Sequence, residues 1–299
     1  MSQKQELNLI SLVERFHSED ACVEYVEGLR WPNGLACLRC GSVSVSRIKT
    51  RGQYDCNSCR YRFSVRAGTI FHDSHLPLWK WFLTTYMMIE SKKGVSANQI
   101  KRTIGVSYKT AWYLCHRIRK AMTEHNPELL DSTVEIDETY VGGKVKGKGA
   151  RYTGNKTLVA GAVERDGDVR LKVIPNARRA TLKAFIEEYV APDAERIITD
   201  ELASYKGIGD HDTIHETVNH SIGEYVRGDI YTNTVENIWS LFKRSVNGAY
   251  HHLSEKHLDA YLDELEWRFN NRDNPYLFRE TILKLIGSEN LTYQELVAQ

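Results

Sequence analysis

Two hundred and ninety-nine residues, 41% hydrophobic and 26% charged, suffice for one large domain or two ordinary ones and exclude disordered, collagen-like and coiled-coil chains. No run of about 18 apolar residues occurs, so no membrane-spanning helix is expected, and MSQKQELNLISLVERF lacks the apolar centre of a signal peptide. The net charge of +1 conceals an asymmetry: residues 1–38 balance at −3, 39–122 at +13 and 123–299 at −9, which is the footprint of a polyanion binder beside an acidic body. Six cysteines in such a chain point to free thiols or metal rather than a disulfide scaffold, and a cytoplasmic location is expected.

Residues 6–29 predict one or two short helices, with Leu9, Leu12, Val13 and Phe16, then Ala21, Tyr25 and Val26, at helical spacing. Arg30-Trp31-Pro32-Asn33-Gly34 ends them, because proline cannot continue a helix and Asn-Gly favours a turn. Cys37-x-x-Cys40 and Cys56-x-x-Cys59 follow, fifteen residues apart. Two such pairs at this separation have the spacing of a four-thiolate structural zinc site. The alternating stretches between and after them read as short strands, so the pairs are expected on the two knuckles of a zinc ribbon. A closed four-cysteine site leaves no position for chemistry, and Cys22 and Cys115 outside the pattern read as core thiols.

Residues 76–122 read as helical. Leu78, Trp79, Phe82, Leu83, Tyr86 and Met87 form one expected apolar stripe. SANQIKRTIGVSYKTAWYLCHRIRKAM then reads as helix, turn, helix. Ile100 and Ile104 face inward, Gly105 makes the turn and Ser107 caps the second helix. Tyr108, Lys109, Arg117, Arg119 and Lys120 are expected on the outer face of that helix. A basic second helix of this kind suits the DNA major groove.

After His125-Asn126-Pro127 the periodicity changes to two. Strands are expected over 132–141, 157–163, 169–174 and 196–199, with another over 215–218. Helices are expected over 181–190, from 234 to about 247 with Asn233 as cap, and over 254–270. The mixture predicts an α/β layer. His220 and His251-His252 read as surface or structural histidines, Trp239 and Trp267 as core. The Gly/Lys-rich tip over 144–156 reads equally as a solvated hairpin or a phosphate grip.

Three acids stand out. Asp137 lies in a strand rich in Val, Ile and Thr, where a carboxylate is costly unless paired or metal-bound. Asp200 ends a short apolar strand. Glu236 follows it after thirty-five intervening residues, in the first turn of a predicted helix, and Lys243 lies two turns further on the same face. Carboxylates converging from two strands and a helix suit Mg²⁺ or Mn²⁺. Two such ions about 4 Å apart activate an attacking oxygen and stabilise the leaving oxygen of a phosphodiester.

With these motifs the sequence resembles the DDE transposases of bacterial insertion sequences, in the branch with an N-terminal zinc ribbon. The resemblance rests on V-E-I-D-E-T-Y-V-G-G at 134–143, I-T-D-E at 198–201, N-T-V-E-N-I-W-S-L-F-K-R at 233–244, G-A-Y-H-H-L-S-E-K-H-L at 248–258 and R-F-N-N-R at 268–272. It implies an RNase H-like catalytic fold with Asp137, Asp200 and Glu236 as metal-binding acids and Lys243 positioning DNA. Asn233 is the other candidate for the third role. Glu236 fits the spacing and the Lys243 partner better. The expected architecture is an N-terminal helical segment (1–30), a zinc ribbon (31–70), a helix-turn-helix region (71–128) and an α/β RNase H-like domain (129–299). The implied activity is binding of terminal inverted repeats, then metal-dependent cleavage and strand transfer into target DNA by a homo-oligomer in a synaptic complex. A regulator with an inactive catalytic-like domain and a structure-specific nuclease are the alternatives.

Overall fold

The computed structural model describes residues 7–143, 154, 156–207, 213–218, 226–251 and 253–298. Most of the 144–156 tip, together with His220 and His252, therefore lies outside the described residues. The chain divides into two compact units, one of Met1–Met122 with Asp273–Gln299, the other of Thr123–Arg272. The expected catalytic boundary of 129–299 is thus corrected at its far end, because the last segment packs into the first unit.

In that first unit, Asn8 and Ser18 cap helices α1 (Leu9–Arg15) and α2 (Glu19–Arg30). Phe16 sits between them and meets Phe82 and Phe278 at ring distances of 4.7 and 5.8 Å. Strands β1 (Val45–Ile48), β2 (Gln53–Cys56) and β3 (Arg62–Ser64) form an antiparallel sheet in that order. Arg30 donates to the Val65 and Ala67 carbonyls, both at 2.6 Å, and so fastens α2 to the chain leaving β3. Helix α3 (Leu78–Glu90) buries Leu78, Trp81, Phe82, Met88 and Ile89, while Trp79 is exposed. The expected stripe therefore falls on Trp81 rather than Trp79.

Helix α4 (Ala97–Ile104) starts at Ser96 and stops at Gly105, whose φ of 62° is left-handed. Ser107 Oγ accepts from the Thr110 N–H at 3.1 Å and opens α5 (Tyr108–Met122). Helices α9 (Leu277–Gly287) and α10 (Tyr293–Ala298) complete this unit. The Ile70 N–H donates to Leu285 O at 3.2 Å, and the Tyr113 hydroxyl donates to Leu291 O.

The second unit is a five-stranded mixed sheet in the order β6-β5-β4-β7-β8. Its strands are β4 (Thr133–Val141), β5 (Thr157–Glu164), β6 (Val169–Ile174), β7 (Arg196–Asp200) and β8 (Ile214–Val218). The first three in sequence pair antiparallel; β7 joins β4 and β8 joins β7 in parallel. Side chains alternate between two cores. Val134, Ile136, Leu158, Ala160 and Ala162 pack on α6 (Arg179–Tyr189). Val159, Val163, Val169 and Leu171 pack on α7 (Asn233–Ser245) and α8 (Leu258–Asn270). Helix α7 begins at Asn233 itself, so the expected Asn233 cap is corrected to Thr232, which makes no side-chain cap bond. It runs on into a π-helical turn, Val246–Tyr250.

Candidate active site

The strand register sets two of the three acids side by side. In the parallel ladder Thr133 faces Arg196, Val134 faces Ile197 and Glu135 faces Ile198. Two residues beyond the last paired positions of each strand come Asp137 and Asp200, on the face that carries Glu135 and Ile198. Neighbouring strands lie about 4.8 Å apart. That face is the one covered by α7, because Asp137 Oδ2 accepts from the Trp239 indole N–H at 2.9 Å. Glu236 lies one turn before Trp239, exposed in the first turn of α7.

Burial pushes the Asp137 carboxyl up to about 6, the nearby charges of Asp200 and Glu236 add to the shift, and the Glu138 N–H and the Trp239 indole oppose it. Among the described residues no Lys or Arg forms an ion pair with Asp137 or Asp200. Hard oxygen donors of this kind fit a divalent cation such as Mg²⁺ or Mn²⁺. The four cysteines are the only described group of three or more candidate ligands whose atoms all lie within 4.8 Å of one another. Asp137, Asp200 and Glu236 do not come that close to one another as a set. Lys243 is exposed in the last turn of α7, and Asn233 is exposed in its first.

Several residues around the acids carry signals the sequence reading passed over. Trp239, read as core, is buried and also polar-bonded to Asp137. On the opposite face of β4 the Tyr205 hydroxyl donates to Glu138 Oε2 at 2.6 Å, and burial pushes Glu138 up to about 7. Glu135 is fully buried, two residues before Asp137 and on its face. A second acid in the same apolar strand was the available clue.

The ribbon thiols come together as expected. Cys37 Sγ lies 3.6 Å from Cys59 Sγ, and Cys40 Sγ lies 3.6 Å from Cys56 Sγ. Four sulfurs at about 2.3 Å from a tetrahedral zinc stand roughly 3.8 Å apart, so the cluster fits that ion. Each knuckle needs a left-handed residue after its second cysteine. Gly41 takes φ 69° in the first and Arg60 takes φ 57° in the second. The N–H groups of Cys59 and Ser58 pull the Cys56 thiol down, favouring there the thiolate that a metal needs, while the neighbouring thiols push Cys59 up.

The basic helix is corrected in part. Lys109 and Lys120 are exposed; Lys109 Nζ lies 4.0 Å from the Tyr293 ring centre, and Lys120 Nζ donates to Asn290 O at 3.3 Å. Arg117 and Arg119 are buried instead, at 3% and 2% exposure. The Arg117 guanidinium donates to Ile70 O, to His72 O at 2.7 Å and to Asn290 Oδ1 at 2.6 Å. Helix α9 packs against α5, and Asn290 beyond its end is one of the acceptors that cover Arg117.

Residues 129–270 match the family model described as an ISXO2-like transposase domain, and residues 17–62 match a transposase zinc-ribbon domain. A protein in transposable element ISH50 of Halobacterium salinarum is 31% identical over 278 residues, covering 86% of this chain and 92% of that one. A transposase-like protein of Haemophilus influenzae is 35% identical over 101 residues, covering 34% of this chain and 80% of that one. Among solved structures the chain is similar to the intasome of simian T-cell lymphotropic virus, at 13% identity and a TM-score of 0.27 over 72% of this chain and 70% of that one. It is also similar to the pre-cleavage Mos1 transpososome, at 10% identity and a TM-score of 0.27 over 67% and 77%.

Proposed function

This chain belongs to the ISXO2-like family of insertion-sequence transposases, and from that premise we propose that it cuts and joins DNA at Asp137, Asp200 and Glu236. The observation that carries the reading is the parallel pairing of β4 with β7, whose last paired positions lie two residues before Asp137 and Asp200, with Asp137 feeling the charge of Asp200 and of Glu236 of α7. Divalent ions held by these acids would activate the attacking oxygen and offset charge on the leaving one. Asp137 is presented with Oδ2 already bonded to Trp239. A water oxygen attacks phosphorus, the P–O3′ bond breaks, and the freed 3′-hydroxyl then attacks a target phosphodiester in the same in-line manner. No covalent enzyme intermediate is needed. The exposed amine of Lys243 serves as a phosphate contact beside the acids.

We further assign DNA-end recognition to the basic first unit. Its α4–α5 hairpin is the proposed helix-turn-helix, with exposed Lys101, Arg102, Lys109 and Lys120 available to phosphates. The ribbon ion is zinc, consistent with the four-thiol geometry and the family's ribbon domain, and its part is structural. Among the described residues no helix is long and apolar enough to cross a membrane.

The test uses full-length, zinc-loaded protein and a DNA carrying the element's terminal repeats. Asp137→Asn, Asp200→Asn and Glu236→Gln are each expected to abolish Mg²⁺-dependent cleavage with DNA affinity kept, because an amide supplies an oxygen but no charge. Normal cleavage by Glu236→Gln with loss in Asn233→Ala would transfer the third role to Asn233.

A further inference from the structure

The first turn of α7 has an unusual cap. Thr232, at the N-cap position, makes no side-chain capping bond. The free amides are taken from outside by Glu135 of β4, which has no exposure at all. Its Oε2 accepts from the Thr234 N–H at 2.7 Å and the Val235 N–H at 3.2 Å, and its Oε1 accepts from the Thr234 hydroxyl at 2.9 Å. These second and third amides of the helix are the ones a local cap would bind. A buried carboxylate at a helix N-terminus is favoured by the dipole, and Arg165 offsets its charge through Nε at 2.9 Å. The same guanidinium donates to Asp229 O at 2.8 Å and Tyr231 O at 3.1 Å, and stacks 3.8 Å from the Tyr231 ring centre. Strand β4, the turn after β5 and the chain entering α7 are thereby joined at one carboxylate.

We propose that Glu135, with Arg165, is the positioning group for Glu236: it caps α7 in place of a local side chain and fixes that helix against the strand that carries Asp137. The inference rests on Glu236 being the third metal-binding acid. Two consequences follow from the geometry. Glu135 and Asp137 lie two residues apart on one face of one strand, and both bond to α7, through Thr234 and Val235 and through Trp239. The helix therefore meets the strand at two points that bracket Glu236 in sequence. In addition, the Thr234 and Val235 amides, which a first-turn carboxylate could otherwise bind, are already taken by Glu135.

Mn²⁺ binding to full-length, zinc-loaded protein without DNA tests this, read by electron paramagnetic resonance beside amide hydrogen exchange. Glu135→Gln puts an amide donor against Arg165 and the Thr234 hydroxyl. It is expected to weaken Mn²⁺ binding by about tenfold, the usual scale for a group behind a metal ligand, and to speed exchange at Thr234 and Val235. Zinc content and DNA affinity are expected to be unchanged. Arg165→Gln, at a less buried position than Glu135, opens the clamp from its outer side and is expected to act in the same direction; it decides the matter if Glu135→Gln does not fold. Unchanged Mn²⁺ affinity in a folded clamp variant overturns the proposal. If Glu236→Gln binds Mn²⁺ as the parent does, the assignment of Glu236 fails instead, whatever the clamp variants do.

Discussion

Gly161 shows how one residue can hold the site's geometry without touching its chemistry. It pairs with Asp137 across β4 and β5. A Cβ there would stand 2.7 Å from Cη2 and Cζ2 of Trp239 and 3.1 Å from a Leu171 methyl. The indole therefore lies on bare backbone, and that approach lets its N–H reach Asp137. Gly161→Ala must move a packed aromatic ring, at a cost of about 1–3 kcal/mol, measurable by urea unfolding. Trp239→Phe removes the ring edge in question, so the same Gly161→Ala change is expected to cost less in that background, with a coupling of at least about 0.5 kcal/mol in a double-mutant cycle. The sequence alone showed neither relation. A glycine amid Ala and Val reads as ordinary strand, and a tryptophan on a helix's apolar stripe reads as core. Only the register pairing brings them together.

At the scale of elements, legibility followed the reach of the interaction. The Gly105 stop and the Ser107 cap act within a few residues, and each Cys-x-x-Cys pair is itself local, so their spacing revealed them. The start of α7 was misread because its cap arrives from Glu135, about a hundred residues earlier in the chain. The outer face of α5 was misread because Arg117 finds its partners at Ile70, His72 and Asn290. An amphipathic pattern identifies the apolar side of a helix but not a long cation that a later helix covers. The ribbon gives the prediction at this scale. Its strands are short and its core is small, so the metal supplies much of its folding energy. Elemental analysis should find one zinc per chain. Cys56→Ser, or removal of zinc by a chelator, is expected to abolish the ribbon's protection from hydrogen exchange and to leave the β4–β8 sheet with its own unfolding transition.

At the scale of the molecule, the sequence disclosed a basic part and an acidic part, and the acidic part carries its charge partly inside. Burial pushes Glu266 up to about 8, although the Leu171 N–H donates to it at 3.0 Å and Arg170 stands 3.9 Å away. One helical turn away on α8, burial pushes Asp263 up to about 6. A carboxyl raised in the folded state binds its proton more tightly there than in the unfolded chain. Its contribution to stability is fully present below the unfolded value near 4.5 and is lost as pH rises through about 8. Urea midpoints of the second unit are expected to fall between pH 5 and pH 9. Glu266→Gln should flatten that slope while keeping an acceptor for Leu171. Neither this charge placement nor the return of the chain to the first unit was legible, since both depend on which surfaces α8 and α9 meet.

That return has a consequence in time. Phe278 joins Phe16 and Phe82, and Asn290 and Leu291 receive Arg117 and Tyr113, only after all of Thr123–Arg272 has been synthesised. At ribosomal speeds of about 5–20 residues per second, the first unit waits roughly 8–30 s for its last helices. A product interrupted after Arg272 leaves the aromatic seat and the Arg117 donors unfilled. Limited proteolysis of such a chain should therefore cut readily within residues 7–122, where the full chain resists. If that unit reads the DNA ends, an unfinished copy is a poor competitor for them, and quality control is built into the order in which the polypeptide emerges.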